Sequence, residues 1–432
     1  MKDTETGSTL PLSTSNRLDD VLLEEDRTLL RGHENEKKPI YRSTIIVTIS
    51  IFMGYASLVL LQHRLSTKMC LESSSVYQHG CSMNYVGNLI FRLAHNFVFA
   101  KVRPRHRVYI SLLSMCFSMS LLGFVIVLGN VNHVSLVYIS YFAGGLAIGT
   151  FESNLLTSIT PLGHDTKMFA IIGMPSGFAA LSIGGFAFRT LLDDSDEALM
   201  ILYIFVASCC VVACVVFYAM IPDVPIKNNS LTLHEFTTNL AQHKEWFPQI
   251  RHLALALCLN MFCVSFFSGI MFYILNDDNV VPLFGTYDHE STRMDHGWFF
   301  TIFNVFTFFG DSGSRKLVYY ISKQINPLFY LFVSIAGTAM CLAKLPLIAP
   351  LGIFCIFFAN GAIYGTSTKY IDKFVAKKYN LISLSVWLFL GDIGSVTGSN
   401  LWEIVRPMYC HGVDAMYMCV KHNSTSSSGG GC

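Results

Sequence analysis

The sequence predicts an all-α membrane protein with eleven transmembrane helices in a six-plus-five arrangement. Composition is the first reason. Of 432 residues, 52% are hydrophobic and only 14% charged, roughly half the ~25% charged share of a soluble domain. A water-soluble globule built from this chain would expose too much apolar surface. The second reason is a series of apolar runs of the length a bilayer core demands, about 20 residues for about 30 Å. The third is the sidedness of the basic residues between those runs. Lys plus Arg number 30 against 29 Asp plus Glu, a formal charge of +1, so no global field draws nucleic acid or acidic partners. The expected partners are the lipid bilayer and a small-molecule solute.

Apolar runs between polar breaks fall at 43–62, 83–100, 108–129, 134–160, 167–190 and 198–221, giving a six-helix bundle over 43–221. A cytosolic connector over 222–250 follows. Further runs at 252–275, 297–313, 327–348, 350–368 and 381–404 give a five-helix bundle over 251–405. With a cytosolic N-terminus, nineteen Lys and Arg side chains flank cytosolic ends and six flank the opposite ends, as the positive-inside rule requires. An odd number of spans then places the tail 406–432 outside the cytosol. There the sequon at Asn423 is open to glycosylation, whereas the one at Asn228 is not.

Thirteen cysteines show no CxxC or Cys/His metal spacing, so neither metal nor cofactor is expected. Cys70 and Cys81 share one polar loop, and Cys410 and Cys419 share the tail. Each pair reads as a disulfide on the oxidising side or as two free thiols. Residues 1–42 are polar, carry no signal-peptide pattern and read as a disordered tail. Within them Glu25-Asp26-Arg27-Thr28-Leu29-Leu30 fits an acidic dileucine sorting signal for endosomes or lysosomes; the alternative is an inert tail. The plasma membrane is the expected location, an endosomal or lysosomal membrane the alternative.

A charge at the bilayer centre costs at least a few kcal/mol, so the charged residues inside spans are the candidate site. Arg92 lies in span two with His95 and Asn96; it either serves gating or proton coupling, or snorkels to a cytosolic end. Glu152 sits deep in span four beyond Gly144, Gly145 and Gly149, small residues that permit close helix contact. It binds a polar solute or carries a proton, or else forms a structural ion pair with an Arg. Gly173-Met174-Pro175-Ser176-Gly177 in span five combines a kink with freed backbone groups, for binding or only for packing. Span eight carries Asn304, Phe308, Asp311 and Arg315. Asp311 and Arg315 are spaced i,i+4 and meet on one helix face, unless Arg315 merely begins the loop at Lys316. Asp392 in span eleven lies on a small-residue face and is a further proton-coupling or gating candidate.

These features together resemble the equilibrative nucleoside transporter family. The resemblance rests on the spans' arrangement, on Phe308-Phe309-Gly310-Asp311-Ser312-Gly313-Ser314-Arg315, on Asn96-Phe97 before the basic cluster Arg103 to Arg107, on Asn360-Gly361, and on Leu390-Gly391 through Gly398-Ser399. It departs at the end of span one, where Gly54-Tyr55-Ala56-Ser57 stands in place of the family's Pro-Trp-Asn. The tenth- and eleventh-span motifs also resemble battenin, a lysosomal member of the same broad superfamily. The resemblance implies a non-enzymatic carrier of major-facilitator-like architecture that moves nucleosides or nucleobases by alternating access, either facilitative or proton-coupled. It implies that Asp311, Arg315 and Asn304 contact the solute, that Phe308 flanks the base, and that Glu152 stands opposite.

Overall fold

The computed structural model describes residues 39–71, 75–185, 188, 196–224, 233–274, 280–284, 293–321, 325–343 and 345–409. The Glu25–Leu30 signal, Cys410, Cys419 and the sequons at Asn228 and Asn423 lie outside the described residues. The described chain is almost entirely helical. The helices are α1 (Thr44–Leu60), α2 (Gln62–Lys68), α3 (Ser75–Val98), α4 (Pro104–Ser120), α5 (Val134–Ile159), α6 (His164–Ala179) and α7 (Asp196–Met220). They continue as α8 (Leu233–Ala241), α9 (His243–Ile274), α10 (His296–Tyr320), α11 (Tyr330–Cys341), α12 (Ala349–Phe374) and α13 (Asn380–Tyr409). Two three-residue strands, β1 (Val280–Pro282) and β2 (Arg293–Asp295), pair antiparallel between α9 and α10.

A helix occupies each apolar stretch read from the sequence. Among the described residues, seven are long and apolar enough to cross a membrane. α3 and α10 are not among those seven, and their faces explain why. On α3 the buried side chains include Asn84, Asn88, Arg92, His95 and Asn96, while Tyr85, Val86, Ile90, Phe97 and Val98 are exposed. On α10 Asn304, Asp311, Ser314 and Arg315 are buried, while Phe306, Phe309 and Leu317 are exposed. Polar inside and apolar outside inverts the pattern of a soluble helix and suits a hydrocarbon surround.

Several boundaries differ from the sequence reading. α3 begins at Ser75 and carries Cys81 inside the helix rather than in a loop. Cys81 is a buried free thiol packed in one core with Tyr77 and Tyr141. Cys70 is disulfide-bonded but Cys81 is not, so neither reading of the two as a pair, one disulfide or two free thiols, holds: Cys81 faces the core instead. The connector is partly helical, and α9 starts at His243 because Trp246 is buried there, its Nε1 donating to the Asn239 carbonyl at 2.9 Å. α10 runs on to Tyr320, which places Arg315 inside the helix rather than in a loop.

Among the described residues, three apolar cores hold the fold. One is confined to the first half and includes Val47, Ile51, Leu112, Phe151 and Phe217. A second joins Leu156, Ile171 and Met174 of the first half to Trp246, Tyr364 and Trp387 of the second. The third gathers Val264, Phe299, Phe303 and Ile353. Two basic side chains close helix ends. Arg105 donates to the Phe217, Ile221 and Pro222 carbonyls at the end of α7. Lys369 donates to the Val318 and Ile321 carbonyls at the end of α10, each at 3.0 Å. A cation there satisfies carbonyls that no helical N–H can reach and complements the helix dipole.

Candidate functional site

The site begins with a close helix contact. A Cβ on Gly145 of α5 would lie 2.2 Å from the Asn84 backbone oxygen, and one on Gly149 2.6 Å from that of Asn88. Only glycine admits α3 that near. The contact brings Arg92, one turn beyond Asn88, against Glu152, about one turn beyond Gly149. Their side chains form a buried ion pair. The Arg92 Nε also donates to Asp392 Oδ2 of α13 at 2.6 Å. One guanidinium thus holds a carboxylate from each half of the chain. Arg92 is 4% exposed and Glu152 6%, so Arg92 does not snorkel to a helix end.

A second cluster is centred on α10. Arg315 grips Asp311 with both edges, Nε to Oδ1 at 2.8 Å and Nη2 to Oδ2 at 3.1 Å. This is the forked geometry that makes arginine–carboxylate pairs strong. Asn360 of α12 donates to Asp311 Oδ1 at 3.4 Å, and Asn260 of α9 donates to Asn360 Oδ1 at 3.0 Å. The Tyr364 ring lies 4.4 Å from the Arg315 guanidinium carbon, within cation–π range. The remaining edge of Arg315 crosses to the first half, with Nη1 donating to the Ile171 carbonyl at 3.2 Å. A Cβ on Gly361 would sit 2.2 Å from Ser314 Oγ and 2.3 Å from the Asp311 carbonyl, so glycine sets how closely α12 meets α10.

Tyr364 lies between the two clusters, near enough to Glu152, Arg92 and Arg315 for direct electrostatic interaction. It is 5% exposed, and its hydroxyl has no hydrogen-bond partner among the described residues. It shares this state with other buried atoms, Thr150 Oγ1 and Ser383 Oγ among them, and each hydrogen bond left unmade costs about 1–3 kcal/mol. A third polar contact joins the halves near the ends of α6 and α12. Lys167 Nζ donates to Asp372 Oδ1 at 2.6 Å, and Asn380 Nδ2 donates to the same oxygen at 3.1 Å. Alongside, Asn96 Nδ2 donates to Ser385 Oγ at 3.3 Å while accepting from Arg107 at 3.0 Å.

The structure therefore brings Arg92, Glu152 and Asp392 together and pairs Asp311 with Arg315. For Glu152 the ion pair with an arginine exists, and the arginine is Arg92. Asn304 turns its amide to the Phe300 carbonyl of its own helix at 2.9 Å. Phe308 is half-buried and packs its ring against Phe309, with centroids 5.5 Å apart. Sequence reasoning passed over Tyr364, Asn260, Lys167 and Asp372 as site residues. Asp372 did carry a signal, as a lone acid among Lys369, Lys373, Lys377 and Lys378. Among the described residues, no group of three or more His, Cys, Asp and Glu side chains is placed to hold a metal ion.

The sequence profile of the Major Facilitator Superfamily matches residues 41–399. No curated protein sequence matches the chain. Among solved structures, the E. coli fucose:proton symporter FucP superposes with a TM-score of 0.59 at 13% identity, covering 87% of this chain and 94% of that one. The human organic anion transporter MFSD10 gives 0.59 at 11% identity, covering 88% and 97%. The proton:xylose symporter XylE gives 0.58 at 14% identity, covering 85% and 88%. At these identities the likeness is one of fold.

Proposed function

We propose that this chain, which belongs to the Major Facilitator Superfamily and so is a multi-pass membrane transporter of small molecules, moves nucleosides or nucleobases by alternating access. The observation that carries the reading is the Arg92 bridge: a single buried guanidinium between Glu152 of the first half and Asp392 of the second, with the unpaired Tyr364 hydroxyl beside it. Alternating access needs contacts between the halves that form and break. A bridge whose ends sit on different halves is such a contact. When it opens, carboxylate oxygens lose their donor and a solute rich in O–H and N–H groups can replace it. A nucleoside carries both.

In this reading Asp311 and Arg315 contact ribose or base hydroxyls and ring nitrogens, as the family resemblance implies, with Asn304 and Phe308 on the same helix. The chain is oriented with its N-terminus in the cytosol, so the Lys167–Asp372 pair lies near the cytosolic end. The plasma membrane is the location proposed.

Proton coupling is a second reading with its own support. Arg92 and Arg315 face three carboxylates, Glu152, Asp311 and Asp392, so the fully ionised cluster carries one negative charge in excess. A proton on Glu152 would remove it. FucP and XylE, whose fold this chain shares, are described as proton symporters.

The test is uptake of labelled adenosine, inosine and hypoxanthine by cells lacking their own transporters, for the unaltered chain beside Asp311→Asn, Arg315→Ala and Glu152→Gln. Uptake by the unaltered chain, lost in the first two variants at equal surface expression, is the expected result. Failure to take up any of the three solutes removes the nucleoside reading; undiminished uptake in all variants removes the site. Repeating the assay at acidic and neutral external pH decides the coupling.

A further inference from the structure

We infer that Pro175 is a positioning residue for Arg315: lacking an N–H, it leaves the Ile171 carbonyl open, and that carbonyl holds Arg315 across the two halves of the chain. Pro175 lies inside α6. In a regular helix the N–H of residue 175 would donate to the carbonyl four residues earlier, which is Ile171. That carbonyl instead accepts from Arg315 Nη1 at 3.2 Å, and Met174 Sδ lies 3.4 Å from the same nitrogen. The other two nitrogens of Arg315, Nε and Nη2, donate to Asp311.

The direction of the freed carbonyl follows from how α6 is seated. A Cβ on Gly173 would lie 1.9 Å from Thr48 Oγ1, and one on Gly177 would lie 2.5 Å from the Ile49 carbonyl. These glycines press α6 onto α1 of the first half. Ile171 and Met174 belong instead to the core shared with the second half. The proline thus presents a backbone acceptor to a helix of the other half. Because the partner is a guanidinium, the bond is of the stronger, charge-assisted kind.

A contact of this kind between the halves would hold one access state, a purpose that rests on the alternating-access reading; its existence does not. It is tested by hydrogen–deuterium exchange on the full chain in detergent, read at the amides of α10 between Asp311 and Tyr320. Four proteins are compared: unaltered, Pro175→Ala, Arg315→Gln and the double variant. An alanine supplies the N–H that competes for Ile171. Exchange in α10 should then rise about tenfold, the scale of one hydrogen bond to a charged group. In the Arg315→Gln background the same change should leave α10 unmoved. A proline that only kinks α6 would shift α10 equally in both backgrounds, and that result, or no shift in either, overturns the inference. Should Arg315→Gln not fold, Arg315→Lys replaces it, since an ammonium lacks the planar fork that reaches Asp311 and Ile171 together. The readout needs no solute. Coupling without uptake would sink the nucleoside reading alone, and uptake without coupling would sink this one alone.

Discussion

Among the described residues, two buried ionic contacts join the halves of this molecule, and they are built differently. Lys167 and Asp372 are matched one to one, with Asn380 completing the carboxylate's bonds. Arg92 is shared between Glu152 and Asp392, two carboxylates for one guanidinium. A matched pair satisfies itself and can act as a fastener that is either made or broken. A mismatched cluster has capacity left over. The leftover carboxylate, with the unpaired Tyr364 hydroxyl beside it, is where a solute hydroxyl or a proton finds a partner. Burial makes both contacts sensitive, because stranding one member leaves an uncompensated charge.

Substitutions can break or sharpen that contrast. The largest effect is expected from Arg92→Ala, which leaves two carboxylates facing each other without a cation. A loss of about 3–5 kcal/mol, seen as a steep drop in the melting temperature of the purified protein together with abolished uptake, is the expected outcome; a normal melting curve would remove the bridge. Asp372→Ala should cost about 3 kcal/mol by stranding Lys167. For this matched pair alone, Lys167→Met with Asp372→Leu should recover most of the stability, because an apolar pair of similar size replaces a buried ion pair well. If the double variant melts no higher than Asp372→Ala, the pair is more than a fastener.

Smaller effects mark the mismatched cluster. Glu152→Gln keeps the shape and an acceptor for Arg92 while removing the excess charge, so stability should move by less than about 1 kcal/mol. Uptake should become insensitive to external pH; a pH profile identical to the unaltered chain would clear Glu152 of proton coupling. The smallest change in stability is expected for Tyr364→Phe, whose hydroxyl has no bond to lose, within about 0.5 kcal/mol. Its KM should nevertheless rise by about tenfold, the scale of one hydrogen bond to solute, as measured by concentration-dependent uptake. An unchanged KM would take Tyr364 out of the site.

Much of this was legible beforehand. Apolar runs located the helices because a helix in lipid satisfies its own backbone and needs only apolar side chains, a property written locally in the chain. Scarcity of charge inside those runs singled out Arg92, Glu152, Asp311, Arg315 and Asp392, since each ionisable group in hydrocarbon must be compensated. The i,i+4 spacing gave the Asp311–Arg315 pair directly. Cys81 was misplaced because Ser75, Gln78, His79 and Ser82 read as loop, although α3 extends through them with Tyr77 and Cys81 facing the core. Lys167, at the first position of the 167–190 run, was passed over because its polarity said nothing of the acid 205 positions away that pairs with it.

What the sequence determined alone is therefore the class of protein, the helical stretches and the short list of side chains that lipid would not tolerate unpaired. Hydrophobic length and local spacing suffice for those. Only the tertiary structure decided which carboxylate meets which guanidinium, that Arg92 serves both halves, and that the Ile171 carbonyl freed by Pro175 is taken by Arg315. Partnership across hundreds of residues depends on how glycine-lined helices approach each other, and no local pattern encodes that distance.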